Sequence, residues 1–165
     1  TNRIDFVQGL VDKYSWCCVG RSAAPSDCIS ALLLGVLEHR QEIESKYSSL
    51  WYQYMYFFEQ IAATANIRYR TNLPGSTSNH HNFSVFVEPS SRASYLRKFR
   101  SAGVNCTSHY EPLHSRYRNI SPDAIEEELP ITSRFSRSIV RMPMYYSLDI
   151  HDVLPLLESV FLGSS

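Results

Sequence analysis

The chain is short of several things, and each shortage excludes something. It holds three lysines, Lys13, Lys46 and Lys98. A lysine that forms an imine needs a desolvated setting that lowers its pKa. Lys13 falls in an arm-like N-terminal stretch, Lys46 beside Glu42 and Glu44, and Lys98 in a basic stretch next to Phe99; none has that setting. Net charge is missing too: 16 basic and 16 acidic residues cancel. The chain therefore lacks the electrostatic footprint of a nucleic-acid binder. Neither a signal peptide nor an apolar run of membrane length is present, so no membrane partner is expected. The four cysteines, at 17, 18, 28 and 106, include no C-x-x-C pair, and adjacent Cys17 and Cys18 make a poor disulfide. A reduced, cytoplasmic protein without structural zinc is the expectation. Cys106 has no local signature of a nucleophile. The first residue is Thr1 rather than Met, from which excision, cleavage or truncation is expected.

What is present is apolar and aromatic. Apolar residues make up 44% of the 165 residues and aromatics 13%, with 11 tyrosines. Such a chain suits one domain, or one domain with an arm, and can bury roughly two thirds of its extended surface.

Residues 1–26 carry no sustained period, and Gly20, Arg21, Ser22 and Pro25 read as a loop or arm. No proline occurs from Ser26 to Leu73. Ser26 or Asp27 can cap a helix, and Leu33, Leu37, Tyr47, Leu50, Tyr54, Phe57, Phe58 and Ile61 recur at helical intervals. One long helix over 27–63 is expected, bent near Gly35 or Ser45 if anywhere. Its run from Trp51 to Phe58 places aromatics all round, more than one face can bury, which predicts association through this helix or the arm.

Strands are expected over 66–71, 83–87 and 104–108, with a Pro74-Gly75 turn between the first two. Ser90 or Ser91 should cap a helix reaching about Ala102, closed by Gly103 in a left-handed C-terminal cap. His109 to Glu128 is a long polar stretch. Pro130 suits the first turn of a helix to about Val140. Residues 142–146 read as extended. Asp149 or Asp152 caps a last helix, and Pro155 favours the later start. Few strands among several helices predict an α+β layer, a small, mainly antiparallel sheet covered by helices. The division expected is an arm over 1–26, a connecting helix over 27–63 and a small α+β domain over 64–165.

Two side-chain groups could carry chemistry. His81 precedes a strand, while His109 and His114 follow one, so all three could meet at one sheet edge; read alone, they are better explained as ordinary loop histidines making local hydrogen bonds. Arg92, Arg97, Lys98 and Arg100 cluster, as do Arg116, Arg118, Arg134, Arg137 and Arg141. Charge pattern alone favours solvated helix faces over an anion site.

One ordered set of motifs goes further. It comprises Thr1-Asn-Arg3, Val11-Asp-Lys-Tyr14 with Trp16, Gly20, Ser26-Asp27, Asn79-x-His81-x-Phe83, His109-Tyr110-x-Pro112-Leu113-His114 and, 27 residues after His114, Arg141-x-Pro143. Together these resemble the C-terminal half of the DegT/StrS family of nucleotide-sugar aminotransferases. Within the family the likeness is nearest to members that aminate a 4-keto-6-deoxy sugar nucleotide for enterobacterial common antigen.

The resemblance implies the small C-terminal domain of an aspartate-aminotransferase-like (fold type I) enzyme. It implies transfer of an amino group from glutamate, through pyridoxal phosphate, to a nucleotide-linked keto-deoxysugar. In the family the cofactor-holding lysine and the aspartate on the ring nitrogen lie upstream of the part matched here. This chain alone is thus expected to hold no cofactor and no catalytic residue. Ser26 and Asp27 would reach the cofactor phosphate of a neighbouring subunit. His81, His109, Tyr110 and His114 would line the sugar-nucleotide pocket, and Arg116 and Arg118 would meet its diphosphate. Expected partners are a second copy or the missing N-terminal half. Ala23-Ala24-Pro25, Cys17-Cys18 and Cys28-Ile29-Ser30 depart from the family pattern, all in the arm. A non-catalytic remnant, serving as a binding or interaction module, is the alternative; a small enzyme of unrelated chemistry ranks last.

Overall fold

The computed structural model describes residues 2–13, 15, 19, 24–112 and 129–163, and the chain divides into two units, Thr1–His39 and Arg40–Ser165.

The first unit holds α1 (Arg3–Val7) and α2 (Asp27–Glu38). Ser26 caps α2, its hydroxyl accepting from the Ile29 N–H at 3.4 Å. The expected single helix is interrupted: His39 leaves helical geometry at φ −95° and ψ 12°, and α3 (Arg40–Ala65) begins afresh. Gly35 and Ser45, the expected bends, both stay inside helices. Local preference cannot place such a break, because differences among ordinary residues are a few tenths of a kcal/mol.

In the second unit the helical period of α3 is spent on burial. Leu50, Trp51, Tyr54, Phe58 and Ile61 form one buried stripe. Tyr52 and Tyr56 are left exposed on the same helix. The stripe meets a three-stranded sheet made of β1 (Arg68–Tyr69), β2 (Ser84–Phe86) and β3 (Ile139–Arg141), ordered β1-β2-β3 with both pairs antiparallel. This is the expected small α+β domain with an antiparallel sheet.

Side chains alternate across a strand. Tyr69, Val85 and Val140 pair in register and turn to the core, where Val85 and Val140 are fully buried. Arg68, Phe86 and Ile139 form one row on the opposite face. Phe83 fills the core centre, its ring 5.4 Å from those of Trp51 and Tyr54 and 5.5 Å from that of Phe58.

The helix α4 (Arg92–Ser101) ends as the sequence predicts. Gly103 sits at φ +80°, its N–H bonded to the Arg100 carbonyl, while the Val104 N–H reaches the Phe99 carbonyl at 2.8 Å. These two bonds, with buried Phe99 and Val104, make a Schellman cap. Beyond it the expected strand over 104–108 is reduced to one bridge, Thr107 to Arg141.

Pro130 opens α5 (Pro130–Ser138), which stops short of Val140 because the chain turns straight into β3. Strand pairing with β2 thus claims 139–141, ahead of the extended stretch expected at 142–146. The last helix, α6 (Ile150–Leu162), takes the earlier start: Asp149 accepts from the His151 N–H at 2.9 Å, and Pro155 lies inside. Pro155 is solvent-exposed, so the carbonyl it leaves unpaired can meet water. Burial of Ile150, Leu157 and Phe161 along one stripe outweighs that defect.

Candidate functional site

The face of the sheet turned away from the core bounds a broad open groove of about 1710 Å³. Its floor is Ser84, Phe86, Ile139 and Arg141, all directed outward by strand alternation. One wall is the loop from Arg70 to Asn82, the other the first turns of α3 with Glu44, Ser48 and Tyr52. At one end α5 closes over the sheet, where Phe135 meets Phe86 edge-on at 5.1 Å.

The loop wall is fixed by hydrogen bonds. Arg70 Nη1 donates to Asn82 Oδ1 at 3.2 Å, and the Asn82 side-chain amide meets His81 Nε2 at 2.6 Å. His81 Nδ1 meets Asn79 Oδ1 at 2.6 Å. His81 is thus occupied within its own loop, and it is His80 that lines the groove. His80 sits at φ +52° with its ring 5.0 Å from Trp51 and 5.4 Å from Tyr52. Asn72 Nδ2 lies 3.4 Å from its Nε2.

Burial lowers the His80 pKa below its ordinary value. A depressed folded-state pKa means that unfolding brings proton uptake once pH falls below the unfolded value, about 6.5. The stabilisation is therefore whole above about pH 6.5 and is lost as pH falls towards the lower folded value. The wild-type melting temperature should drop more between pH 7 and pH 5 than that of His80→Asn, a residue that also tolerates positive φ. Identical pH profiles for the two would refute the assignment.

The other sequence candidates fall as follows. His109 stacks on Tyr110 at 4.9 Å, and the Tyr110 carbonyl accepts from Ser136 Oγ at 3.0 Å. The Tyr110 ring lies 5.5 Å from the guanidinium carbon of groove residue Arg141, which ties this pair to the groove floor. Ser26 and Asp27 belong to the first unit, both exposed at the start of α2. His114, Arg116 and Arg118 lie outside the described residues. Two residues of the basic clusters are tied to backbone: Arg92 Nη1 donates to the Ser136 carbonyl, and Arg137 Nε to that of Ser133 at 3.3 Å.

Reasoning on the sequence missed His80 and Arg70 as wall residues. The signal for the floor was available, since Ile139-Val140-Arg141 alternates. In the sequence alone the helix instead runs to about Val140, with extended chain only from Met142.

Burial raises the pKa of two further groups. Burial pushes the Cys106 thiol up to about 12, so little thiolate forms near neutral pH. Tyr54, raised by burial, donates its hydroxyl to the Pro143 carbonyl at 3.0 Å. Among the described residues no group of three His, Cys, Asp or Glu side chains could hold a metal, and no helix is long and apolar enough to cross a membrane.

The site is thus a polar, cationic groove on the open face of a helix-backed antiparallel sheet. Residues 6–161 match the DegT/DnrJ/EryC1/StrS aminotransferase family, and the chain belongs to that family. Its fold is similar to that of the aminotransferase TlmJ from Streptoalloteichus hindustanus, at a TM-score of 0.74 and 20% identity. The likeness covers 92% of this chain and 40% of TlmJ, so the chain spans well under half the length of that enzyme.

The described residues do not by themselves fit pyridoxal phosphate. None of the three lysines lines the groove.

Proposed function

We propose that this chain is the small C-terminal domain of a cytoplasmic, pyridoxal-phosphate-dependent aminotransferase that moves an amino group from glutamate to a nucleotide-linked keto-deoxysugar. The family match over 6–161 carries the reading. The groove supports it, because an open, cationic sheet face suits one wall of a pocket for an anionic substrate. The cofactor-holding lysine belongs to the large domain of the complete enzyme. Ser26 and Asp27 are assigned to the cofactor phosphate of a neighbouring subunit in a homodimer. His81, His109, Tyr110 and His114 shape the mouth of the sugar-nucleotide pocket, with Arg116 and Arg118 approaching from the loop. A 4-keto-6-deoxy sugar is the substrate favoured by the histidine and Arg141-x-Pro143 motifs.

The test joins this chain to the large half of a family member. The chimera should aminate a 4-keto-6-deoxy sugar nucleotide with glutamate as donor, read by mass spectrometry. A chimera that folds, dimerises and takes up cofactor yet yields no amino sugar would overturn the reading.

The second reading, a non-catalytic interaction module, accounts for one observation as well as the first does. Along α2 the side chains of Leu32, Leu33, Leu34, Val36 and Leu37 are each more than half exposed. A large domain or second copy would cover such a surface in an enzyme; a partner protein would cover it in a module.

A further inference from the structure

The helices on the core side of the sheet form a layer with opposite charges on its two sides. Helix α6 lies between α3 and α4 and packs on both. Phe161 marks the arrangement, its ring 5.6 Å from that of Phe58 on α3 and 5.1 Å from that of Phe99 on α4. Each junction leaves a surface cleft, and the two clefts differ in character.

Between α3 and α6 the cleft holds about 550 Å³, with Tyr52, Tyr56, Phe57 and Leu154 in its lining. Tyr52 is 48% exposed and Tyr56 67%. Glu59 follows Tyr56 by three residues and Glu158 follows Leu154 by four, so each exposed acid stands on the cleft face of its helix. Lys46, three residues before Ser49, stands at the far end. Between α6 and α4 the cleft holds about 800 Å³. Arg97 and Lys98 line it, and no acidic residue does. Among the described residues none of Glu59, Glu158, Arg97 and Lys98 forms an ion pair.

A lone exposed charge is ordinarily just solvated. Here the two signs are segregated on either side of one helix, and the acidic side also exposes tyrosines, a residue type that anchors many interfaces. The whole chain is neutral. A purely basic or purely acidic partner would satisfy one side of α6 and oppose the other. A second copy, turned over about a two-fold axis parallel to α6, satisfies both, because α3 of each copy then faces α4 of the other. The crest of α6 permits close approach, since Pro155 and Ser159 are exposed there and small. Helix α6 has 13 residues, and three helices side by side present a face of roughly 20 by 30 Å, or about 600 Å². Standard interfaces bury about 800 Å² per partner, so this one is weak, with a Kd on the order of 10 µM.

We propose that the α3–α6–α4 layer is a self-complementary interface through which two copies of this chain pair. Glu59 and Glu158 of each copy face Arg97 and Lys98 of the other, with Tyr56 covered between them. The interface belongs to the second unit alone, apart from the arm assigned above to a neighbouring subunit, and it holds whatever the substrate. In an enzyme already dimeric through the arm, it links dimers into a larger assembly.

The test is sedimentation velocity of the chain from about 1 to about 200 µM, which brackets the expected Kd. Wild type should pass from monomer to dimer, and added salt should shift it back, because exposed charges are screened. The double variants Glu59→Lys with Glu158→Lys, and Arg97→Glu with Lys98→Glu, should each weaken pairing at least about tenfold, or 1.4 kcal/mol. An equal mixture of the two should recover wild-type pairing, since every facing pair is then of opposite sign. Tyr56→Ser should weaken pairing without changing the salt dependence. Arg100→Glu, on α4 but outside the cleft, and Leu33→Ser on α2 should leave it unchanged. All these side chains are exposed, so the folded monomer should keep its melting temperature. A monomer throughout, dimers that survive both double variants, a mixture that does not recover, or an equal loss in Arg100→Glu would each overturn the interface. Pairing abolished by Leu33→Ser alone would assign it to α2 instead.

Discussion

Replacing Phe83 with alanine should cost the second unit about 3–5 kcal/mol, the range for removing a fully buried phenylalanine. Phe83 has no exposed surface, and its ring contacts those of Trp51, Tyr54, Phe58 and Tyr69. The truncation would remove these contacts and leave a cavity walled by large rings that cannot easily collapse. A domain of this size has roughly 5–15 kcal/mol of stability in all, so the loss reaches a large fraction of it. The groove would suffer as well. Phe83 immediately precedes β2, and its carbonyl accepts from the Met142 N–H at 3.0 Å, just past Arg141. Denaturant unfolding of the chain and of Phe83→Leu and Phe83→Ala measures the series; leucine should be the milder change. A loss under about 1 kcal/mol for alanine would mean that the aromatic cluster does not carry the core.

That core was legible because its signals are periodic. Leu50, Tyr54, Phe58 and Ile61 repeat at helical intervals, and Phe83-Ser-Val-Phe-Val87 reads as a strand whatever surrounds it. Caps were equally readable where one residue decides them, as with Ser26, Gly103 and Pro130. Competition between elements was not. Helix α5 and β3 share Ser138–Ile139 as a boundary, and only pairing with β2 tells the chain to stop being helical there. Pro155 shows the same limit, since a local penalty of a few kcal/mol yields to tertiary burial of Leu157 and Phe161.

The site was legible in its family likeness and less so in its residues. The Asn79-x-His81 motif drew attention to His81, whereas His80 holds the wall by packing on Trp51. Nothing local distinguishes two adjacent histidines; the left-handed backbone at His80 decides between them. In the sequence Arg141 belongs to a motif and to a basic cluster. Its unpaired, enclosed Nε depends on three strands meeting, a fact of topology beyond the reach of spacing.

The isolated chain should not be labelled stoichiometrically at any one lysine by pyridoxal phosphate and borohydride. Imine formation needs an amine that is unprotonated and held against the carbonyl, which proteins achieve by desolvation or a neighbouring cation. Lys13 is exposed in the first unit, and Lys98 is exposed on α4 with its Nζ 5.9 Å from the Tyr95 ring centre. Lys46 is half-buried on α3, within one helical turn of Glu42. None lines the groove where Arg70, His80 and Arg141 gather. Peptide mapping should therefore find scattered, substoichiometric labelling of all three. The chimera with a complete large domain should give near one equivalent, at a lysine of the added half. One equivalent on Lys46 or Lys98 of the isolated chain would contradict the division of labour argued here, because the small domain would then hold the cofactor itself.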